Sequence, residues 1–321
     1  MRRREFVFAL TGAAIGWPLT LRAQAKMLRV GFVGMQPREF PVYAAFLMRM
    51  GELGYDEGRN FAFEYIQAPN VESYQKSYRE LAARKVDVFL AVGNEPALRA
   101  ALAAADGGPI ALLAIDFDPL AKGYVANLSR PGSNVTGIFA RQLELAAKRV
   151  EIAHEVFPRA TAIGIAFDAI SREQRDAAAE AARKLGLEPR TIEVQGQNGY
   201  RDAFDVMSAH RGQPIILPAG PTFLRDREAI AQALLARRVP SIAAFRENTE
   251  AGALISYGFD LIGQFRDIAG YVHQIARGAK PSETPIEQSS RFHMSVNLKT
   301  AASLGISLSD TFVARAHEVR E

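Results

Sequence analysis

The sequence contains no cysteine, and after residue 25 it has no long hydrophobic run. Without cysteine there are no disulfides, iron–sulfur clusters, thiolate zinc sites or cysteine nucleophiles, and no N-terminal cysteine is available for lipid modification. No apolar stretch after residue 25 reaches the length of a transmembrane helix. We therefore expect a soluble mature protein without thiol chemistry or a membrane anchor.

Catalytic and cofactor motifs are scarce as well. Gly31 and Gly34 follow the first predicted strand, but the third glycine of a dinucleotide-binding turn is missing, and no G-x-x-x-x-G-K-[ST] occurs. There is no G-x-S-x-G nucleophile motif. The histidines lack the i,i+4 spacing of a metal site and are scattered along the chain, at His154, His210, His273, His293 and His317. We expect no cofactor, no metal and no enzymatic activity.

Residues 1–25 have the composition of a cleavable export signal. Three arginines at positions 2–4 precede an almost uncharged run over residues 6–21, and a small-x-small site ends at Ala25. The Arg-Arg-x-Phe pattern with a mildly hydrophobic run resembles a twin-arginine signal. We expect cleavage after Ala25, with Ala23 as the alternative, and a mature protein located in the periplasm.

The net charge of +4 comes mainly from this segment. Cleavage after Ala25 removes four arginines and one glutamate, which leaves 35 basic and 34 acidic residues. A chain so close to neutral has little electrostatic attraction for nucleic acid. Cleavage also removes Trp17, the single tryptophan, so tryptophan fluorescence of the mature protein would report only on an added tryptophan.

Short apolar strands alternate with helical patterns along the mature sequence. Strands are predicted over residues 28–33, 61–66, 86–92, 110–115, 134–139, 162–167, 190–194, 214–217, 241–244 and 253–256. Helices are predicted over residues 42–53, 71–84, 96–105, 143–156, 172–185, 200–209, 223–237 and 261–277. An extended segment over 286–296 and two short helices follow. This alternation indicates an α/β fold whose parallel sheets are covered by helices on both faces.

The boundary signals divide the chain into two similar halves. Glycines end a helix and lead into a strand at Gly54 and again at Gly186, at equivalent places in the two halves. Turn-forming residues over 131–134 lie near the midpoint. We predict one lobe from residues 26–139 plus about 260–284, and a second lobe from residues 140–259 plus about 285–321.

Polar and aromatic residues stand where the apolar strands end. In open α/β sheets, ligands bind beyond the carboxyl ends of the strands and near helix N-termini. Asp118 and Asp168 have a competing interpretation as helix caps. The candidate ligand-facing positions are Met35, Gln36, Asn94, Glu95, Asp116, Phe117, Asp168, Ala219, Gly220, Phe245 and Tyr257.

Several separated blocks resemble one family, the periplasmic substrate-binding proteins of ABC importers. The similarity runs from residue 28 to the C-terminus and is closest to the branch associated with tryptophan and tyrosine uptake. The blocks that carry it are residues 29–32, 53–60, 128–137 (Leu-Ser-Arg-Pro-Gly-Ser-Asn-Val-Thr-Gly), 250–258, 296–301 and 304–305. The resemblance implies a type I binding-protein fold, with two doubly wound lobes, a multi-strand hinge and a ligand cleft between the lobes.

The resemblance also adds Ala169 and Asp260 to the expected ligand-facing residues. The sequence departs from the usual family pattern at residues 93–96 and 167–169, which lie at the expected cleft. An amino-acid-like ligand suits these positions. Its carboxylate would meet amides at Asn94 and Ala169, its ammonium would pair with Asp116 or Glu95, and an aromatic side chain would be covered by Phe117, Phe245 or Tyr257.

The expected function is capture of a small solute, an amino acid or a related molecule, and its delivery to an ABC permease of the inner membrane. We expect the protein to act as a monomer. A periplasmic sensor of the same fold is the first alternative, and a secreted α/β enzyme is a more remote one. A cytoplasmic repressor of this fold is disfavoured by the export signal and by the lack of an N-terminal helix-turn-helix.

Overall fold

The computed structural model describes residues 27–194, 199–208 and 212–321. The predicted export signal and its cleavage site lie outside the described residues. In these ranges the strands are β1 Leu28–Gly34, β2 Phe61–Gln67, β3 Val88–Gly93, β4 Ile110–Ala114, β5 Val135–Phe139, β6 Ala162–Phe167, β7 Glu188–Glu193, β8 Ile215–Ile216, β9 Ser241–Ala243, β10 Ile255–Phe259, β11 Glu287–Gln288, β12 Phe292–Asn297 and β13 Glu318–Arg320.

The helices flank these strands. They are α1 Pro41–Glu52, α2 Tyr74–Ala83, α3 Glu95–Ala105, α4 Gln142–Val156, α5 Arg172–Lys184, α6 Gly199–Ser208, α7 Pro221–Arg225, α8 Arg227–Ala236, α9 Arg246–Glu250, α10 Leu261–Ala276, α11 Leu298–Leu304 and α12 Asp310–Val313. Across the described parts of the chain, no helix combines the length and the apolar character needed to span a bilayer.

The strands form two separate sheets. The first has the order β11-β5-β4-β3-β1-β2 with every pairing parallel, and the second has the order β13-β12-β10-β9-β8-β6-β7. In the second sheet only β10 and β12 pair antiparallel. Strands β1, β4 and β6 are almost continuously apolar and buried, as parallel strands covered on both faces must be. The predicted α/β class with two doubly wound sheets is confirmed.

The chain passes three times between the sheets. It crosses between β5 and α4, between β10 and α10, and between β11 and β12. Helix α10 returns to pack on α1, β4 and β5 of the first sheet, whereas α4 packs on α5 and β10 of the second. We call residues 27–139 and 261–288 the first lobe, and residues 142–259 and 292–321 the second lobe.

Three elements differ from the sequence prediction. Strand β11 pairs with β5 in the first sheet, although residues from about 285 onward were expected in the second lobe, because the Ile286 amide bonds the Leu128 carbonyl oxygen at 2.7 Å. The helix predicted over 223–237 is two helices, separated at Asp226. The strand predicted over 253–256 is β10, which begins at Ile255 because the Ala253 amide still bonds the Asn248 carbonyl oxygen at 2.8 Å.

Apolar side chains of the two lobes pack against each other at the centre of the molecule. Phe40 and Leu261 of the first lobe share one buried cluster with Leu224 and Phe245 of the second. The Arg227 guanidinium of the second lobe lies 5.4 Å from the centre of the Phe40 ring. The lobes are therefore in direct contact at the centre of the molecule.

Candidate ligand-binding site

A cavity of about 550 Å³, counting the space open to solvent at its mouth, lies between the lobes. The first lobe provides most of the wall and the second lobe closes it. The lining residues are Phe32, Val33, Gly34, Met35, Gln36, Phe40, Val42, Tyr43, Tyr74, Val92, Gly93, Ile115, Asp116, Leu261 and Phe265 from the first lobe, and Gly220, Pro221, Leu224 and Phe245 from the second.

Aromatic rings form one wall of this cavity. Tyr43, on the first turn of α1, contacts Phe32 edge-on at 5.0 Å between ring centres and Phe265 at 5.5 Å. Gly34 makes this packing possible, since a Cβ at that position would lie 2.4 Å from the Tyr43 hydroxyl oxygen. Phe245 adds a ring from the second lobe and packs edge-on against Phe259 at 5.6 Å. Rings fixed in this way provide a rigid apolar surface for a flat or apolar ligand group.

Asp116 is the charged residue of the cavity. It lies two residues beyond the end of β4, is 5% exposed, and neither of its carboxylate oxygens has a hydrogen-bond partner. Burial raises the pKa of this carboxyl well above its ordinary range, and the charges of Asp168, Glu173 and Glu95 raise it further. A buried, unpartnered carboxylate is costly, and a cation placed beside it would remove that cost.

Two buried amide groups near the cavity also have unused hydrogen-bonding capacity. The Nε2 of Gln36 lacks a partner, and Gln36 lines the cavity after β1. Asn94 Oδ1 accepts the Ala97 amide at 3.0 Å and so caps α3, while its Nδ2 has no partner. Asn94 itself is not in the lining, although its neighbour Gly93 and the nearby helix residue Tyr74 are. Burial raises the pKa of Tyr74 to about 12, so its hydroxyl stays neutral.

Five of the thirteen predicted site residues line the cavity together. They are Met35, Gln36, Asp116, Gly220 and Phe245. Ala219 lies just behind Gly220, and its amide and carbonyl are both bonded to the Gln174 side chain, at 2.9 and 2.7 Å. This pair of bonds fixes the loop that brings Gly220 to the cavity.

The other predicted residues lie elsewhere. Asp168 accepts the Ser171 amide at 3.0 Å and the Ser171 hydroxyl at 2.7 Å in the turn before α5, whose N-cap residue is Ser171, and Ala169 beside it is exposed. Glu95 accepts the Tyr124 hydroxyl at 2.6 Å and faces Lys122 at 3.7 Å, outside the lining. Neither Glu95 nor Ala169 is therefore placed to hold the ligand groups expected of them.

The remaining predicted residues also face other surroundings. Phe117 packs edge-on against Tyr124 at 6.0 Å in the first lobe. The Tyr257 ring stacks on Phe292 at 6.2 Å and is not in the cavity lining. Asp260 precedes α10 without a side-chain capping bond.

The sequence-based prediction missed most of the aromatic wall. Tyr43, Tyr74 and Phe265 lie on helices, where their spacing reads as an ordinary core stripe. The position of Tyr43 in the sequence could have identified it, since it lies on the first turn of the helix that follows β1, where ligands of such sheets bind. Among the described residues, no three side chains of the types that ligate metals are grouped closely enough to hold an ion.

Comparison with known proteins places this cavity in context. A family model described as ABC transporter substrate binding protein matches residues 42–320. A curated protein named tyrosine-binding protein, from Clostridioides difficile strain R20291, is 24% identical over 221 residues, which are 67% of this chain. The match spans 62% of the length of that relative.

Solved structures share the fold across almost the whole chain. A crystal structure of an ABC domain from Streptococcus pneumonia, in complex with L-Trp, has a TM-score of 0.82 at 22% identity and covers 92% of this chain and 100% of that one. A conserved domain protein from Vibrio cholerae gives the same TM-score, identity and coverage.

Proposed function

The chain belongs to the family of ABC transporter substrate-binding proteins, and on that premise we propose that it captures an aromatic amino acid outside the cytoplasm and delivers it to an ABC permease. The observation that carries the proposal is the unpartnered carboxylate of Asp116, buried at the edge of an aromatic cavity between two lobes. The α-ammonium of an amino acid is the cation that this carboxylate would hold.

The charge of the site selects an ammonium group. Asp116 needs a cation, and the nearby cation Lys122 is already bonded to Glu173 at 2.5 Å and faces Glu95. A ligand ammonium would donate to the free carboxylate oxygens and restore the ionised form that burial disfavours. Hydrogen bonds between two charged groups in a buried site are among the stronger ones in proteins.

The apolar part of the cavity fits an aromatic side chain. Gln36 follows β1 and Asp116 follows β4, and β3 lies between these two strands, so the two side chains start about 10 Å apart. An aromatic amino acid with its ammonium at Asp116 would reach toward Gln36 along the wall formed by Tyr43 and Phe265. The Gln36 Nε2 would then donate a hydrogen bond to a polar atom at the far end of the ligand.

The names of two related proteins are compatible with such a ligand. One is named for tyrosine, and the other was crystallised with L-Trp. Their sequence identities of 24% and 22% leave the ligand of this chain to be decided by its own side chains and by experiment.

Capture would work by closure of the lobes on the ligand. Asp116 belongs to the first lobe and Phe245 to the second, so one ligand touches both only when the lobes meet. Contacts at the rim of the cleft already join the lobes here: Lys122 with Glu173, and Arg225 Nη1 with the Pro69 carbonyl oxygen at 2.9 Å. A ligand that contacts both lobes stabilises the closed arrangement and so shifts an open–closed equilibrium.

The location follows from the export signal expected over residues 1–25. We propose that the signal is of the twin-arginine type, that it is cleaved after Ala25, and that the mature protein acts as a monomer in the periplasm. N-terminal sequencing of exported protein tests the cleavage, since a mature chain beginning at Met1 would contradict it.

A binding experiment with one variant tests the ligand class. Isothermal titration calorimetry with L-tyrosine, L-tryptophan and L-phenylalanine is expected to detect binding of at least one of them to the native protein. In Asp116→Asn the affinity is expected to fall by about 10- to 100-fold, because the charge-assisted bonds to the ammonium are lost.

Asp176→Asn is the matched control. Asp176 is an exposed acid of α5 that pairs with Arg175 at 2.7 Å and does not line the cavity. This variant is expected to keep its affinity within about twofold. Failure of the native protein to bind any of the three amino acids, or full binding by Asp116→Asn, would contradict the proposal.

A further inference from the structure

The second lobe contains a buried cation without an acidic partner. Arg149, on α4, is 0% exposed, and within the described ranges no carboxylate lies at ion-pair distance from its guanidinium. Burial lowers the pKa of this group to about 9. A guanidinium buried without an anion is expensive for the fold, so its surroundings should show what it does.

The hydrogen bonds of Arg149 converge on glutamine side chains. Its Nη1 and Nη2 both donate to Gln142 Oε1, at 3.2 and 3.3 Å, and Nη2 also donates to Gln174 Oε1 at 3.4 Å. A third acceptor is the Tyr257 carbonyl oxygen, 3.2 Å from Nη1. Each of these acceptors carries partial negative charge only, so the guanidinium keeps its net positive charge.

Arg149 thereby fixes the direction of the Gln142 amide. Arginine can only donate, so the carbonyl oxygen of Gln142 must face it and the NH₂ group must face away. Gln142 is 1% exposed, and its Nε2 has no hydrogen-bond partner. Buried NH₂ groups normally have a hydrogen-bond acceptor. Because the described residues supply none here, a bound ligand could provide the acceptor.

Gln142 lines a second chamber that shares Asp116 with the aromatic cavity. We call it the hinge chamber and define it by Asp116, Phe117, Phe139, Gln142 and Gln288, at the first crossing between the lobes. It measures about 520 Å³, again counting space open to solvent. The two other acids in its wall already have partners: Glu144 pairs with Arg141, and Asp118 accepts two backbone amides.

We propose that the hinge chamber binds the carboxylate of an α-amino acid whose ammonium pairs with Asp116, with Gln142 as the hydrogen-bond donor and Arg149 as the positioning residue behind it. The inference deepens the proposed function and rests on it. Asp116 stands between the two chambers, so the ligand's side chain occupies the aromatic cavity and its carboxylate the hinge chamber. The buried charge of Arg149 then acts on the carboxylate through the polarised Gln142 amide.

The test compares a ligand with and without the carboxylate. Calorimetric titrations use L-tyrosine and tyramine, which differ only in that group, against the native protein, Gln142→Glu and Gln142→Leu. The glutamate variant has nearly the same shape and gives Arg149 an anionic partner, so it should fold. Both variants are expected to weaken L-tyrosine binding by at least about tenfold and to leave tyramine within about twofold.

A variant of the positioning residue and a control complete the design. Arg149→Met is expected to reduce the preference for L-tyrosine over tyramine as Gln142→Leu does, and circular dichroism shows whether it has folded. If it has not, the Gln142 variants carry the test. Glu151→Gln, on the exposed face of α4 and paired with Lys148 at 2.7 Å outside the hinge chamber, is expected to leave both affinities unchanged within about twofold.

The outcomes separate this inference from the proposed function. Loss of affinity in equal proportion for both ligands, or no loss at all, would overturn the role of Gln142 while leaving aromatic amino-acid binding intact. Equal affinity of the native protein for L-tyrosine and tyramine would overturn it as well. Absence of binding of any aromatic amino acid to the native protein would remove the proposed function, and the inference with it.

Discussion

Asp116 shows how one residue can be unfavourable for folding and useful for binding. Its carboxylate oxygens are buried without partners, and burial holds its pKa well above the ordinary range. In the ligand-free protein the folded state therefore favours the neutral acid, whereas the ligand's ammonium requires the ionised form. Stability and affinity respond to pH in opposite directions for this reason.

We predict that affinity for an aromatic amino acid falls as the pH is lowered through the raised pKa of Asp116. The ammonium of the ligand stays protonated over this range, so the change in affinity comes from protonation of the Asp116 carboxylate. Titrations in buffers from about pH 4 to pH 8 should show the dissociation constant rising toward acid. A dissociation constant independent of pH would argue against Asp116 as the ammonium partner.

The stability of the ligand-free protein supplies the complementary measurement. A raised carboxyl pKa contributes stability below the unfolded-state pKa of aspartate, and this contribution is lost as the pH rises through the folded-state value. The stability of Asp116→Asn, measured by thermal unfolding, is expected not to fall with rising pH in this way. At neutral pH the variant should be more stable than the native protein by about 1–3 kcal/mol.

Gly34 sets the position of the aromatic wall. A Cβ at residue 34 would lie 2.4 Å from the Tyr43 hydroxyl oxygen, so Gly34→Ala requires the Tyr43 ring of the cavity wall to shift. We predict a loss of about 1–3 kcal/mol in stability together with weaker binding of aromatic ligands. Gly51→Ala is the control, because a Cβ there meets nothing within 4 Å, and it should be neutral or stabilising. Unchanged binding by folded Gly34→Ala would contradict the placement of the ligand.

At this scale the sequence predicted positions at strand ends better than side-chain directions. Met35, Gln36 and Asp116 could be found because they follow buried strands. Glu95 and Asp168 follow strands too, but local partners, Tyr124 for one and Ser171 for the other, occupy their side chains. The Tyr124 partner of Glu95 is brought in by tertiary packing, so the sequence alone could not separate Glu95 from Asp116, whereas the Ser171 partner of Asp168 is only three residues along the chain.

Among the elements, the break between α7 and α8 is the one that the sequence pattern concealed. Residues 223–237 contain no glycine or proline and have a continuous helical pattern. The break occurs at Asp226, whose carboxylate accepts the Tyr200 hydroxyl at 2.6 Å and two N–H bonds from Arg225, each at 2.8 Å. These partners come from another helix and from the neighbouring residue. The break is thus a tertiary effect outside local propensity.

Arg225 links this break to the opposite lobe. While its Nε and Nη2 hold Asp226, its Nη1 donates to the Pro69 carbonyl oxygen of the first lobe at 2.9 Å. We predict that Arg225→Lys weakens ligand binding by about three- to tenfold, because lysine can pair with Asp226 but lacks the planar fork that reaches Pro69 as well. Calorimetry measures the affinity, and thermal unfolding shows whether the second lobe is intact.

Arg172→Lys is the matched control for this prediction. Arg172 is an exposed arginine of the same lobe, 3.4 Å from Glu193, and among the described residues it makes no ion pair with the first lobe. Its substitution should leave affinity within about twofold. Equal effects of the two substitutions would show that the Pro69 contact does not contribute to closure.

Long elements were predicted well, and short ones were not. Strands such as β1, β4 and β6, and helices such as α4 and α10, follow from apolar runs and helical spacing. Strands β11 and β13 and helix α9 have two, three and five residues. Segments of that length contain too little periodicity to specify their structure, and pairing with a neighbouring strand decides it.

At the scale of the whole molecule, family membership agrees with what the sequence indicated. The resemblance to ABC substrate-binding proteins, the two-sheet α/β fold and the expectation of a solute-binding protein rather than an enzyme are all confirmed. The export signal, the domain boundaries and the monomeric state remain predictions. The signal lies outside the described residues.

We predict that closure can be observed in solution. Small-angle X-ray scattering of the mature protein should give a smaller radius of gyration with a saturating aromatic amino acid than without it, because the ligand bridges the lobes. The two scattering curves should differ most at the scattering angles that correspond to the distance between the lobes. Identical curves with a ligand that binds by calorimetry would show that capture does not involve lobe movement.

The ion pair of Lys122 with Glu173 should make only a small contribution to this closure. Both side chains are partly exposed, at 34% and 47%, and water screens such pairs. Lys122→Ala is expected to weaken ligand binding by no more than about fivefold, and high salt should reduce the difference from the native protein. A much larger effect would place Lys122 in the binding site itself.

The three crossings between the sheets also govern the order in which the protein can fold. Helix α10, which covers α1 and brings Phe265 to the first lobe, is synthesised after β6–β10 of the second lobe. Edge strand β11 comes later still. A nascent chain that ends before residue 261 therefore leaves the apolar face of α1 uncovered. Joining segments so distant in sequence closes long loops and slows folding, so the first lobe begins first but is completed only after most of the second has been made.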